Sequence, residues 1–275
     1  MQPSLEQTRW LLKILQPDKT LGSLPGAAAL TEPLCAALLG LPADLYAAEQ
    51  AHMREGAKEA ARALAAEPEV AAMIGRLPLK DGARVVAFGC SHTSDPQSWA
   101  VILRELMAPR GVTVEINAVP GDTTTQGLIR IGQVVAQQPD WILFLLGTND
   151  ARTLGPTPSK THVSAQETES NLRELFARVA HETKAQCLWM SPPPVNEELV
   201  KNHWGLSRFG VRFRNEDVAR IAESLRRIGA PLVDLFTLLG APPAPLLLME
   251  DGLHLTLAGQ KRLALEILRG WSKQS

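Results

Sequence analysis

From residue 83 onward, short apolar runs alternate with longer segments in which apolar positions return every three or four residues. The runs "RVVAF", "VTVEIN", "WILFLL", "QCLWM" and "PLVDL" read as strands. They are apolar nearly throughout rather than at every second position, which is how strands covered on both faces look. Between and after them, "PQSWAVILRELM", "TTQGLIRIGQVVAQ", "SAQETESNLRELFARVAHET", "RFRNEDVARIAESLRRI" and "TLAGQKRLALEILRGW" carry helical spacing. Strand and helix in turn predict an α/β fold, a three-layer α/β/α sandwich around a roughly five-stranded parallel sheet with right-handed crossovers.

Residues 1–80 follow another pattern. They are rich in Ala and Leu and contain no strand-like run, while "SLEQTRWLLKIL" and "PADLYAAEQAHMREGAKEAARALAAEPEVAAMIGRL" place apolar residues at helical spacing. Thr31 heads "TEPLCAALLG" where an N-cap belongs, and Gly40 stands where a helix would stop. The expected organisation is a helical N-terminal region over 1–80 and an α/β domain over 81–275, with the change near "RLPLKDGARVV".

Composition narrows the function classes. A 275-residue chain with 45% hydrophobic and 21% charged residues can bury a sizeable core. A formal net charge of -1 gives no electrostatic reason to expect nucleic acid or an anionic membrane surface as partner. No segment is apolar for long enough to span a bilayer, and the N-terminus lacks the pattern of a signal peptide. Three cysteines without metal-ligand spacing argue against a disulfide framework or a zinc site, so reduced thiols in a cytoplasmic protein are expected. The Ala- and Leu-rich helices could pack on their own domain or on a second copy, which leaves the oligomeric state open.

Ligands in open parallel sheets sit beyond the carboxyl ends of the strands, so the loops that follow the strands should hold the chemistry. They read "GCSHTSD", "AVPGDTTTQG", "GTNDARTLG" and "SPPPVNEELVKNHWGLSRFG", and the last helix is entered through "MEDGLHLTLAG". Acyl transfer needs a nucleophile, a base for its proton, a group that orients the base, and donors for the oxyanion. Ser91 is the candidate nucleophile, His254 the base, and Asp251, three residues earlier, its orienting partner. The amides of Ser91 and Gly121 and the side chain of Asn149 are candidate oxyanion donors. Asp122 and Thr123 to Thr125 are expected to cap the following helix.

These blocks resemble the SGNH (GDSL-like) hydrolases, serine esterases and lipases of flavodoxin-like fold. "GCS" at 89–91 stands where the family has GDS, Gly121 matches the glycine of the second block, "GTND" at 147–150 matches GxND, and "DGLH" at 251–254 matches DxxH. The resemblance implies Ser91, Asp251 and His254 as a triad, Gly121 and Asn149 as oxyanion donors, and a small acyl ester as substrate. No metal or organic cofactor is implied. The family's aspartate before the serine is Cys90 here, and His92 follows the serine. Cys90, His92 and Trp204 are candidate pocket residues. Cys90 as a rival nucleophile is disfavoured because adjacent side chains in an extended turn point apart. Acyl transfer or thioester hydrolysis by the same residues, and a silent binding protein on the fold, are the alternative readings.

Overall fold

A computed structural model of the chain describes residues 3–22, 24–155, 157 and 160–274. The N-terminal region is helical as expected, with α1 (Leu5–Ile14), α2 (Pro17–Thr20), α3 (Glu32–Leu38), α4 (Ala43–Ala65) and α5 (Pro68–Gly75). Thr31 occupies the N-cap position of α3 without a side-chain capping bond, and Gly40 follows the helix end at φ +68°. The remainder runs β1 (Arg84–Gly89), α6 (Ser91–Ser94), α7 (Trp99–Met107), β2 (Thr113–Ala118), α8 (Thr124–Val135), β3 (Trp141–Leu145), β4 (Thr153–Leu154), α9 (Ala165–Glu182) and β5 (Gln186–Met190). It continues with α10 (Glu197–Asn202), α11 (Trp204–Ser207), β6 (Val211–Arg212), α12 (Asn215–Ile228), β7 (Leu232–Val233), α13 (Leu235–Leu239) and α14 (Leu257–Trp271).

Five strands form the main sheet in the order β2-β1-β3-β5-β7, all parallel. Successive side chains of a strand leave opposite faces, and here both faces are buried. Val85, Ala87, Leu143 and Leu145 join a core with residues of α4, α5, α7 and α14, whereas Val86, Phe88, Ile142 and Phe144 join a second core with residues of α8, α9 and α12. The second core is keyed by aromatics: Phe144 stacks on Trp189 with centroids 4.1 Å apart, and Phe88 meets Phe144 edge-on at 5.4 Å. These are the three layers that the continuous apolar runs predict.

The register fixes where the loops begin. Gly89 pairs with Ala118 on one side and Leu145 on the other, and Leu145 pairs with Met190, so neighbouring strands end at one level. The order reverses at β1, whose neighbours β2 and β3 lie on opposite sides, and a crevice opens at such a switch point. The antiparallel pair β4 and β6, absent from the sequence reading, ties the loop after β3 to the loop after α11. Two-residue strands leave no periodic signal.

Gly89 allows β1 to turn sharply into α6. A Cβ there would clash with Thr93 Oγ1 and lie 2.6 Å from the Leu145 carbonyl oxygen. The second contact is backbone of a central strand and cannot yield without disturbing the sheet. Gly89→Ala is expected to destabilise the fold by about 1–3 kcal/mol, the usual cost of overpacking. A urea titration with an unchanged m-value reads this directly; a midpoint equal to wild type would show that the turn has slack.

Candidate active site

Ser91 opens α6 immediately beyond the end of β1, and only 6% of its surface is accessible. Its Oγ lies 3.0 Å from Nε2 of His254, and Nδ1 of His254 lies 2.6 Å from Oδ2 of Asp251. The local fold makes this spacing possible. Residues 249–254 form a closed turn in which the Met249 amide donates to the His254 carbonyl at 2.8 Å and the Gly252 amide donates to the Met249 carbonyl at 3.0 Å. Inside that turn the amides of Leu253 and His254 donate to Oδ1 of Asp251 at 2.9 and 2.8 Å. The DxxH spacing therefore lets one carboxylate bind the backbone through one oxygen and the imidazole through the other.

Burial pushes the Asp251 carboxyl up, but the facing His254 imidazole and the hydrogen bonds from His254 and Leu253 outweigh it. The acid is held well below the usual carboxylate range. An ionised acid on Nδ1 fixes the tautomer that leaves Nε2 free to accept a proton.

The loops that carry the other two candidate donors, Gly121 and Asn149, are joined by a hydrogen bond. Pro120 and Gly121 form the centre of a turn whose Asp122 amide reaches the Val119 carbonyl at 3.3 Å, with Gly121 at φ +85°, where a side chain would strain the backbone. Asn149 Nδ2 donates to the carbonyl of Asp122 at 2.9 Å. The loops after β2 and β3 are thus locked together beside the loop that carries Ser91.

Asp150, to which the sequence reading gave no role, builds the scaffold under this pair. Its carboxylate accepts from the Thr124 amide at 3.0 Å and from the Thr168 hydroxyl at 3.1 Å, so it caps α8 and ties in α9. Burial pushes its pKa up to about 6 against those hydrogen bonds. Thr123 is the N-cap residue, and its amide donates to Gln126 Oε1 at 3.0 Å. The expected capping role of Asp122 is corrected: its side chain pairs instead with Arg130 at 2.6 Å. The threonine run at the start of α8 was the signal that a distant carboxylate could be met there.

The three candidate pocket residues divide. Cys90 has no accessible surface and belongs to the second apolar core, where burial pushes its thiol up to about 11; it is a core residue and not a pocket wall. His92 is also buried, its ring 5.6 Å from that of His254, and burial followed by the His254 charge lowers its pKa to about 3. Trp204 is 40% exposed and meets Trp10 of α1 edge-on at 5.1 Å. Trp10 was not singled out in the sequence, although its indole N–H donates to Asp251 Oδ2 at 2.8 Å. A separation of 241 residues leaves no local pattern from which that contact could be read.

A parallel sheet covered on both faces, with serine, imidazole and carboxylate in line at its carboxyl edge, is the arrangement of an SGNH-type hydrolase. Residues 85–262 match the GDSL-like lipase/acylhydrolase family, and the chain belongs to that family. A GDSL esterase/lipase of Arabidopsis thaliana is 26% identical over 199 residues, covering 68% of this chain and 75% of its own. Among solved structures, a lipase/acylhydrolase from Enterococcus faecalis superposes with a TM-score of 0.54 at 24% identity, covering 70% of this chain and 96% of its own. An acetylxylan esterase from Geobacillus stearothermophilus superposes with a TM-score of 0.51 at 20% identity, covering 70% and 96%. At these identities the structural likenesses show the shared fold. Among the described residues, no cluster of His, Cys, Asp and Glu could hold a metal ion, and no helix is long and apolar enough to cross a membrane.

The buried His92 makes a pH prediction. Its folded pKa lies below the unfolded value, so between about pH 6.5 and 3 the unfolded chain takes up a proton that the folded chain refuses. Stability from this residue is present above that window and falls by about 1.4 kcal/mol per pH unit on entering it. Urea titrations from pH 7 to 4 are expected to show a steeper loss for wild type than for His92→Gln. Equal slopes would mean that His92 is protonated in the folded state.

Among the thiols, Cys90 is expected to resist iodoacetamide in the native protein at pH 8 and to react in urea. Peptide mass mapping reads the difference, and rapid native modification would return Cys90 to the pocket.

Proposed function

We propose that the protein hydrolyses carboxylic esters through an acyl-enzyme on Ser91. The observation that carries this reading is the unbroken line from Ser91 Oγ to His254 Nε2 at 3.0 Å and from His254 Nδ1 to Asp251 Oδ2 at 2.6 Å. Family membership supports ester hydrolysis as the chemistry.

In the first half-reaction, Ser91 Oγ attacks the ester carbonyl while its proton passes to His254 Nε2. Negative charge gathers on the former carbonyl oxygen, where the Gly121 amide, the Ser91 amide and the second N–H of Asn149 are the proposed donors. Asp251 stays ionised and stabilises the imidazolium that forms. The tetrahedral adduct collapses, the carbon–oxygen bond to the alcohol breaks, and His254 returns its proton to the departing alkoxide. Water then repeats the sequence, with His254 as base, and releases the acid and free Ser91.

The serine and imidazole stand at a largely dry carboxyl edge, where fixed dipoles act more strongly than in water. The three cysteines are free thiols, which fits the reading of a reducing, cytoplasmic compartment. The Geobacillus neighbour is named an acetylxylan esterase, and short acyl esters on sugars are therefore a first substrate series to try.

A small fluorophosphonate tests the mechanism without a guess at the natural ester. Wild type is expected to carry the adduct on Ser91, Ser91→Ala none, and His254→Ala none on the same timescale. Once an ester is found, Asn149→Ala is expected to lower kcat by roughly 10²- to 10³-fold, as loss of one oxyanion donor does elsewhere. Comparing water with added alcohols as acceptor separates hydrolysis from acyl transfer. Folded wild type without an adduct would refute the serine mechanism.

A further inference from the structure

The family match begins at residue 85, so α1 lies wholly outside it. Yet α1 reaches two parts of the proposed catalytic apparatus. Trp10 is 5% exposed and donates its indole N–H to Asp251 Oδ2 at 2.8 Å. The other donors to that carboxylate, the amides of Leu253 and His254 and the His254 ring, all come from its own turn. Trp10 supplies the bond that ties the acid to another element. It shares Oδ2 with the imidazole, and two donors on one oxygen resist rotation of the carboxylate.

The indole is wedged. A Cβ on Gly205 would lie 2.8 Å from Trp10 Cη2, the His203 ring tilts against it at 5.1 Å, and Trp204 meets it edge-on. Three residues further along α1, on the same helix face, Lys13 is buried with its Nζ 3.0 Å from Asp95 Oδ2. Asp95 directly follows α6, which Ser91 opens, and its Oδ1 accepts from the Gln97 amide at 2.7 Å. Lys19 of α2 donates to the Ser94 carbonyl at 2.7 Å.

We propose that the N-terminal helices are part of the active site: Trp10 is a positioning residue for the Asp251–His254 pair, and Lys13 is one for the turn that presents Ser91. The inference rests on the triad reading above and adds to it that the α/β unit alone presents an incompletely held acid.

Trp10→Phe keeps a ring in the slot and removes the N–H. It is expected to lower kcat roughly ten- to hundredfold, as small misplacements of catalytic groups do, with KM within about twofold, and to lower the melting temperature by only a few degrees, because a buried acceptor loses one of its donors. The rate of phosphonylation at Ser91 should fall in parallel. A second readout does not need turnover: in protein carrying ¹⁵N-histidine, the His254 Nδ1–H resonance should move or broaden in Trp10→Phe. Gly205→Ala, which leaves the indole intact and crowds it, should produce the same pattern if Trp10→Phe proves unfolded. Leu5→Ala, on the exposed side of α1, is the control and should match wild type.

A folded Trp10→Phe with unchanged kcat, labelling rate and resonance would overturn the proposal. If wild type itself neither turns over esters nor labels at Ser91, the hydrolase reading fails. The resonance then still decides whether Trp10 holds the Asp251–His254 pair, a shift supporting it and an unmoved signal overturning it.

Discussion

A buried carboxylate has to be surrounded by donors, and the Asp251 side chain organises this molecule around that demand. With no accessible surface, its charge is tolerable only where hydrogen bonds replace the lost water. Two amides, one imidazole and one indole do so. Each donor fixes a different part of the fold: the amides close the turn into α14, the imidazole points at Ser91, and the indole brings in α1 from the far end of the chain. The geometry of the proposed site follows from satisfying one acid.

The neighbouring groups are kept electrically quiet. Burial keeps His92 neutral and the Cys90 thiol protonated, so the imidazole of His254 has ionised Asp251 on one side and uncharged groups beside the serine. The replacement of an acidic residue by cysteine before the serine is consistent with this packing. Position 90 belongs to the second apolar core, where a carboxylate would need partners that the apolar cluster does not offer. Cys90 fills the space as a small apolar side chain, and the burden of holding the serine turn falls on Asp95, Lys13 and Gln260.

The sheet was legible because its physics is local and repetitive. Runs such as "WILFLL" must be covered on both faces, and the strand order places "GCS", "GTND" and "DGLH" at one edge once the strands are parallel. The residues that meet at Ser91 were legible for the same reason, each lying just past a strand or at the entrance of a helix. What escaped were contacts across large sequence separations. Asp150 reaches back 26 residues to Thr124, and Trp10 reaches forward 241 to Asp251. Neither has a periodic or spacing signature, since a tryptophan at helical spacing reads as core, and Trp10 is core on every side but its nitrogen.

That double character bears on why helices would be added ahead of a sheet already able to place a serine, a histidine and an aspartate. Bonds within the 249–254 turn orient the acid relative to its own backbone, but they do not fix that turn against α6, which sits on another loop. A shared clamp does. α1 touches the acid through Trp10 and the end of α6 through Lys13, residues one helical turn apart on a rigid element, and Gln260 of α14 adds a second tie to the same serine turn through the His92 carbonyl and Asp95. Holding Ser91 and Asp251 from a common support is a physical reason for the N-terminal region to stay packed against the proposed site.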